Sequence, residues 1–275
     1  MNATITSFDG TALRGDCYGG PEPALVFVHG AFQSRQVWKH QIDAFRGANR
    51  VIAYDLRGHG RSARPQSDTA YRADWTPARD VAAVLDHFGA QRAILIGWSF
   101  GSIVAADAAV HLGRERIAGL ILVSGTIESA TPRNGSNFGP VSRESISGLG
   151  SADPAVRRAA TRRYLQDSYR YGQWDPVMFD TALEANLEFT ATERALVVAR
   201  PEHRYAEALR STGMPVMLIH GDADGVFLAD SSVAAATELP DATLKLYPDT
   251  GHWPFLERPA RFNADVREFA QTIAR

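Results

Sequence analysis

The stretch of sequence that says most about the fold is Ala93-Ile94-Leu95-Ile96-Gly97-Trp98-Ser99-Phe100-Gly101-Ser102. Its apolar start predicts a buried strand, and the Ala- and Val-rich residues 103–109 predict a helix. Between them stands Gly-x-Ser-x-Gly, in which the serine occupies a sharp strand-to-helix turn and the glycines leave out Cβ atoms that would collide. The stretch therefore predicts an exposed nucleophile, Ser99. It also puts the Phe100 N–H at a helix N-terminus, where that group can stabilise an oxyanion.

Composition narrows the class of protein. The 275 residues suffice for one α/β domain with an insertion or for two small domains, and a net charge of −2 gives no general attraction to nucleic acid or anionic membranes. A single cysteine, Cys17, suits a reducing compartment. The first residues lack the features of a signal peptide, and no apolar run reaches the roughly 18 to 20 residues of a membrane helix. We therefore expect a cytoplasmic protein that binds neither nucleic acid nor a membrane.

Strands and helices alternate along most of the chain. After a hairpin around Asp9-Gly10, strands are predicted at residues 24–28, 51–55, 93–96, 117–123, 215–220 and 243–247. Residues 126–212 contain no convincing strand: 131–150 read as a loop, and 155–171, 176–188 and 203–210 read as helices. The pattern predicts an α/β fold with a predominantly parallel sheet and helices on both faces. The predicted core comprises residues 1–125 and 213–275, with a helical cap of residues 126–212 inserted after the sixth strand.

A catalytic serine needs a base, and the base needs a group that orients it. In an open α/β sheet such groups lie on loops beyond the carboxyl ends of strands. One predicted loop holds Asp222 and Asp224, and the next holds His252. Asp222 directly follows its strand and is expected to accept local backbone N–H bonds. Asp224 lies farther out, with Gly225 behind it to let the backbone turn the carboxylate inward.

Several motifs between residues 25 and 260 occur together in one known family. They are His29-Gly30-Ala31, Asp55-Leu56-Arg57-Gly58-His59-Gly60-Arg61-Ser62, the turn at Ser99, His220-Gly221-Asp222-Ala223-Asp224, and Gly251-His252-Trp253-Pro254-Phe255-Leu256-Glu257-Arg258-Pro259. With them the chain resembles the α/β-hydrolase-fold proteins, in particular the capped esterase and haloperoxidase-like group. The resemblance covers the whole predicted scaffold but skips the helical insertion. It is specific for the fold and the triad, and poorly specific for the substrate.

The resemblance implies a role for each residue of a triad. Ser99 would be the nucleophile, and His252 would act first as general base and then as general acid. The acid of similar proteins follows a His-Gly-x-x-Asp spacing, which selects Asp224 and leaves Asp222 as the alternative. The serine at position 99 excludes the relatives that use an aspartate nucleophile, the dehalogenases and epoxide hydrolases.

The resemblance also implies an activity. The N–H groups of Ala31 and Phe100 would form the oxyanion hole, and neither a cofactor nor a metal is implied. The expected activity is hydrolysis of a carboxylic ester, thioester or lactone, with a small substrate that has an apolar part. Perhydrolase or haloperoxidase-like chemistry and hydrolysis of a carbon–carbon bond use the same motifs. A ligand-binding receptor on the same fold is a further alternative.

Other side chains have competing interpretations. The histidines His29, His59 and His220 flank glycines at strand ends, but without metal-ligand spacing structural hydrogen bonds are the preferred interpretation. A group of arginines resembles an anion site, although nearby acidic residues favour a solvated face: Arg157, Arg158, Arg162 and Arg163. The aromatic residues of the predicted cap could close an apolar pocket or form the core of the cap: Tyr164, Tyr169, Tyr171, Trp174, Phe179 and Phe189.

Overall fold

A single sheet organises the molecule. The computed structural model describes residues 1–72, 75–125, 127, 137–198, 205–239 and 241–273. Within these residues the sheet has eight strands: β1 (Asn2–Thr6), β2 (Ala12–Tyr18), β3 (Ala24–Val28), β4 (Val51–Asp55), β5 (Ala93–Trp98), β6 (Ile117–Val123), β7 (Val216–Gly221) and β8 (Thr243–Tyr247). Their order across the sheet is β1-β2-β4-β3-β5-β6-β7-β8.

The pairing of the strands confirms the predicted sheet. β1 and β2 form an antiparallel hairpin, β2 pairs antiparallel with β4, and every other pair is parallel. Parallel neighbours need crossover connections, and helices supply them. The described helices are a 3₁₀ helix (Arg35–Trp38), α1 (Lys39–Phe45), α2 (Thr69–Arg72), α3 (Thr76–His87), α4 (Phe100–Arg116), α5 (Pro140–Leu149), α6 (Pro154–Asp167), α7 (Pro176–Leu187), α8 (Ala191–Val197), α9 (Ala206–Thr212), α10 (Asp230–Glu238), α11 (Pro254–Glu257) and α12 (Pro259–Ile273).

Strands β3 to β7 are buried along their whole length because helices cover both faces of the sheet. Alternate side chains of one strand enter different cores, as in β5, where Leu95 joins one apolar cluster and Ile94 and Ile96 join the other. The first cluster includes side chains from α3, α4, α9 and α10, and the second includes side chains from α1 and α12. Among the helices that the structure describes, none combines the length and hydropathy needed to cross a bilayer.

Between β6 and β7 the described residues form helices α5 to α9, which we call the inserted helices. The prediction of a loop over residues 131–150 is wrong for residues 140–149, which form α5. Residues 131–136 lie outside the described residues. Gly148, a residue that disfavours helices, is present in α5 because of packing: a Cβ at this position would lie 2.6 Å from the Cβ of Ala160. Gly148 therefore lets α5 approach α6 closely.

Two further differences concern helix positions. The helix predicted at 203–210 is found at Ala206–Thr212, and its predicted residues 203 and 204 lie outside the described part of the chain. Helix α8 was not predicted. Its signal was the capping box at its start, in which Thr190 and Glu193 exchange hydrogen bonds with each other's backbone N–H groups.

Candidate active site

Ser99 stands at the turn between β5 and α4 in a strained backbone conformation, with φ 54° and ψ −120°. A Cβ on Gly97 would lie 2.2 Å from the Gly101 carbonyl oxygen, and a Cβ on Gly101 would lie 2.4 Å from the Val28 carbonyl oxygen. The two glycines are therefore required by close backbone approach, as the sequence pattern predicted. The Ser99 side chain does not cap α4, so its hydroxyl is not engaged by the helix that it precedes.

Asp224 and His252 lie side by side on the loops after β7 and β8. The Oδ2 atom of Asp224 is 2.8 Å from Nδ1 of His252. The other carboxylate oxygen, Oδ1, accepts the backbone N–H groups of Val226 (2.8 Å) and Phe227 (3.1 Å). Both members of the pair are buried. Because its second oxygen is held by the backbone, the carboxylate has a fixed orientation toward the imidazole.

A second histidine also contacts this carboxylate. Nε2 of His220 is 3.1 Å from Oδ2 of Asp224 and 3.1 Å from the Phe227 carbonyl oxygen, and Nδ1 is 2.7 Å from Oγ of Ser232. Since a carbonyl oxygen can only accept, Nε2 is assigned the proton and Nδ1 accepts from the Ser232 hydroxyl. The structural role predicted for His220 agrees with these contacts.

The charge state of Asp224 follows from these neighbours. Burial alone would raise its pKa. The charge of His252 and the hydrogen bonds from His220 and His252 outweigh burial and lower the pKa to about 2. Asp224 is therefore a carboxylate at neutral pH. It can hold Nδ1–H of His252 and stabilise the imidazolium that forms when Nε2 takes up a proton.

Asp222 differs from Asp224 in its exposure and in its hydrogen bonds. Its side chain is exposed, while its backbone N–H donates to the Tyr247 carbonyl at 3.0 Å. The expectation that Asp222 would accept local backbone N–H bonds is wrong, because Asp224 accepts them instead. Asp222 and Ala223 are the central residues of a turn that the Asp224 N–H closes by donating to the Gly221 carbonyl at 3.2 Å, and the Asp222 side chain lies in solvent.

The loop of His252 is attached to the turn of Ser99. The indole N–H of Trp98, the residue before Ser99, donates to the His252 carbonyl at 2.8 Å, and the two rings are 5.4 Å apart. Gly30 also lies against this turn, since a Cβ added to Gly30 would be 3.1 Å from the Ser99 Cβ. The structure thus brings the predicted nucleophile, base and Gly30-Ala31 segment to one edge of the sheet. Within the described part of the chain, no hydrogen bond joins the Ser99 hydroxyl to His252.

Glu257, for which no role was predicted, fixes the backbone on both sides of His252. Its Oε2 accepts the N–H of Gly251 at 2.9 Å, and its Oε1 accepts the N–H of Trp253 at 3.0 Å. Oε2 also accepts the N–H groups of Arg170 (2.9 Å) and Tyr171 (2.8 Å), which follow the inserted helix α6. An acidic residue at the end of the apolar run 253–256 was the available signal, since a buried carboxylate must be paired or hydrogen-bonded.

The inserted helices meet the same loop a second time. The His252 N–H donates to the Ser168 carbonyl at 2.8 Å, and the indole N–H of Trp253 donates to the Ser168 hydroxyl at 2.9 Å. Trp174 packs against Tyr169, Phe179 and Trp253 with ring centroids 4.6, 5.5 and 5.0 Å away. These contacts make Trp174 and Phe179 part of the apolar packing between the inserted helices and the loop that carries Trp253.

The remaining buried histidines are neutral. His29 Nδ1 donates to the Gly30 carbonyl (2.8 Å) and its Nε2 accepts the Leu56 N–H (3.0 Å), while burial lowers its pKa to about 4. Burial, together with the neighbouring His29, lowers the pKa of His59 to about 3. Among the described residues, no group of histidine, cysteine, aspartate and glutamate side chains could hold a metal ion.

Known proteins share this architecture over nearly the whole chain. The esterase RhEst1 from Rhodococcus sp. ECU1013 has a solved structure that is 30% identical, covers 99% of each chain and superposes with a TM-score of 0.89. A non-heme haloperoxidase from Rhodococcus erythropolis is 27% identical over 98% of this chain and 99% of its own length. A 2-hydroxy-6-oxononadienedioate/2-hydroxy-6-oxononatrienedioate hydrolase from Burkholderia vietnamiensis is 31% identical over 95% and 92% of the two chains. Residues 25–265 match the model of the alpha/beta hydrolase family. The chain belongs to that family.

Proposed function

We propose that the protein is a cofactor-free serine hydrolase that cleaves a carboxylic ester, thioester or lactone through an acyl-enzyme. The observation that carries the proposal is the 2.8 Å hydrogen bond between Asp224 Oδ2 and His252 Nδ1. With Nδ1 occupied, Nε2 of His252 is the nitrogen left for a serine hydroxyl. The strained turn at Ser99, one residue from the indole that binds the His252 carbonyl, supports Ser99 as the partner.

In the proposed reaction Ser99 Oγ attacks the carbonyl carbon while its proton passes to His252 Nε2. The N–H groups of Ala31 and Phe100 stabilise the oxyanion of the tetrahedral intermediate. His252 then gives its proton to the leaving alcohol or thiol, and the acyl group stays on Ser99. Water repeats the sequence with His252 as base, which releases the acid and restores the enzyme.

The surroundings of His252 support a small substrate with an apolar part. Phe227 stacks beside the His252 ring with centroids 6.1 Å apart, and Phe138 contacts Phe227 at 5.0 Å. Phe138 belongs to the segment just before α5, so an aromatic surface extends from the proposed base toward the inserted helices. Two sets of hydrogen bonds join the inserted helices to the His252 loop: Ser168 accepts from His252, and the N–H groups of Arg170 and Tyr171 donate to Glu257. They support residues 126–212 as a cap on a core of residues 1–125 and 213–275.

An ester panel tests the proposal. Hydrolysis of p-nitrophenyl esters from acetate to laurate is measured for the wild type, Ser99→Ala and Ser211→Ala, the last being an exposed serine of α9. We expect turnover by the wild type and by Ser211→Ala, and a loss on the order of a million-fold in Ser99→Ala. Full activity in Ser99→Ala at an unchanged melting temperature would exclude Ser99 as the nucleophile.

A second candidate, perhydrolysis, differs only in the molecule that attacks the acyl-enzyme. The end-to-end similarity to a non-heme haloperoxidase favours testing it. Hydrogen peroxide is added at a fixed ester concentration, and peracid is measured beside free acid. Peracid as the main product, dependent on Ser99, would favour perhydrolysis over hydrolysis.

A further inference from the structure

Arg194 of the inserted helix α8 is a buried cation without an acidic partner among the described residues. It is 7% exposed. Its Nη2 donates to the carbonyl oxygen and to Oδ1 of Asn186, both at 2.6 Å, while Nε and Nη1 have no hydrogen-bond partner in the described part of the chain. Buried arginines are normally paired, because unpaired buried donors destabilise the fold. The two unused donors point to an anionic ligand.

The position of Arg194 relates this ligand to the proposed active site. The guanidinium carbon lies 4.5 Å from the ring centroid of Phe32. Phe32 directly follows Ala31, the proposed oxyanion donor, and has a positive φ of 60°. The cation therefore lies against the loop that borders the site of acyl transfer, rather than on the outer surface of the inserted helices.

The neighbours on α6 strengthen the positive potential. Arg157 Nη1 donates to the Ser151 carbonyl at 2.7 Å, but its buried Nε has no partner among the described residues. One turn later on α6, the buried Thr161 hydroxyl also has no partner in the described part of the chain. Burial and the like charge of Arg157 lower the pKa of Arg194, which Tyr164 partly offsets, to about 10. Arg194 thus remains charged at neutral pH.

Tyr164, on the same side of α6, connects the arginines to the proposed triad. Its electrostatic neighbours include both Arg194 and the Asp224 carboxylate.

The arginines of α6 that were predicted to form a solvated face divide into two groups. Arg158, Arg162 and Arg163 are exposed, as predicted, whereas Arg157 turns inward and is half-buried.

We infer that Arg194, together with Arg157, binds a carboxylate carried by the substrate, so that the preferred substrate is the monoester of a dicarboxylic acid. This inference rests on the proposed function, because it assigns the substrate of the Ser99 site. The carboxylate would accept a charge-assisted hydrogen bond from one of the two unused donors of Arg194, Nε or Nη1, and the ester group would reach Ser99. An alkyl ester of the same length, which has no acceptor at this position, would leave the buried donor unpaired.

The test compares two substrates that differ only in charge. Monomethyl esters of C4 to C7 dicarboxylic acids are compared with the methyl esters of the corresponding ω-amides, at constant ionic strength. The wild type is expected to prefer the carboxylate by about 10- to 100-fold in kcat/KM at its best chain length. Arg194→Met should lose this preference, because kcat/KM for the carboxylate substrate falls toward that for the amide. Arg158→Met is the control, because Arg158 is exposed and pairs with Glu184.

A second variant and a binding measurement separate the possible failures. Arg194→Gln can keep a hydrogen bond to Asn186, so loss of preference in both variants at an unchanged melting temperature excludes a purely structural effect. Binding of glutarate to Ser99→Ala, measured by calorimetry with and without Arg194→Met, tests the anion site without turnover. Arg194-dependent binding by a protein that hydrolyses no ester would support the anion site and contradict the proposed function. Equal rates on acid and amide in the wild type, or a preference that survives both variants, would overturn the inference.

Discussion

Asp224 Oδ2 and His252 Nδ1 lie 2.8 Å apart although 28 positions separate the two residues in the sequence. They meet because β7 and β8 are parallel neighbours, so the loops at their carboxyl ends leave the sheet at the same edge. Ser99 follows β5 at that edge as well. The sheet topology, rather than any local sequence feature, assembles the proposed site.

Replacing the two aspartates of the β7 loop should separate their roles. Asp224→Asn removes the charge that orients His252, so we expect turnover to fall by about 10³ to 10⁴. Asp222→Asn changes an exposed side chain and should alter turnover by less than about threefold, with little effect on stability. Both variants are compared at matched folded fractions on the best ester of the panel. A larger loss of turnover in Asp222→Asn than in Asp224→Asn would mean that the His-Gly-x-x-Asp spacing selected the wrong aspartate.

Removal of the Glu257 carboxylate should disturb both stability and catalysis. Glu257→Ala leaves the N–H groups of Gly251 and Trp253 without their acceptor, so we expect the free energy of unfolding to fall by about 3 kcal/mol. Because these groups flank His252, kcat should fall more than KM changes. Urea titration and ester kinetics measure the two effects.

Glu268→Ala is the matched control for Glu257→Ala, since Glu268 is exposed on α12 and pairs with Lys245. It should change stability by no more than about 0.5 kcal/mol. Partial recovery of kcat in Glu257→Gln would support a positioning role, because an amide oxygen can still accept. An unchanged kcat in Glu257→Ala, at full folding, would show that the His252 loop holds its position without this carboxylate.

Stability should fall as the pH is lowered from about 6.5, because His29 and His59 are buried in the neutral form. Their pKa values in the folded protein, about 4 and about 3, lie below the value of roughly 6.5 for an unfolded histidine. The unfolded chain therefore binds protons first, and the stabilisation present above pH 6.5 is lost as the pH falls toward 4. Each histidine contributes about 1.4 kcal/mol per pH unit in this window.

Chemical unfolding of the wild type and His59→Leu between pH 4 and pH 8 checks this prediction. The difference in unfolding free energy between the two proteins should be constant above pH 7. Below pH 6 it should shift by about 1.4 kcal/mol per pH unit in favour of the variant. Parallel curves throughout the range would indicate that His59 is protonated equally in the folded and unfolded states.

The central strands could be predicted because burial on both faces makes them continuous apolar runs, as in Ala24–Val28 and in residues 51–54 of β4. The turn at Ser99 could be predicted because close backbone approach restricts positions 97 and 101 to glycine. Helix α5 was missed because Gly148, a helix-disfavouring residue, is set by a tertiary contact with Ala160. Local propensity carries no information about such a contact.

The same limit applies to the side chains of the candidate site. The sequence pointed to Asp224 and His252 through motif spacing, whereas the contacts of Glu257 depend on the inserted helices approaching the His252 loop. Arg194 is not distinguished from its exposed neighbours by sequence, because charge alone does not reveal which side of a helix faces the core. Burial and unpartnered donors became visible only in three dimensions.

Covalent labelling with a fluorophosphonate tests the central claim most directly, since the probe reacts with an activated serine by displacement of fluoride. After trypsin digestion, the adduct should be found on the peptide of residues 93–114, which contains both Ser99 and Ser102, and fragmentation should assign it to Ser99. Ser99→Ala should remain unlabelled, and Asp224→Asn should label far more slowly. Absence of an adduct from the folded wild type, or an adduct on Ser102 or on another peptide, would contradict the account.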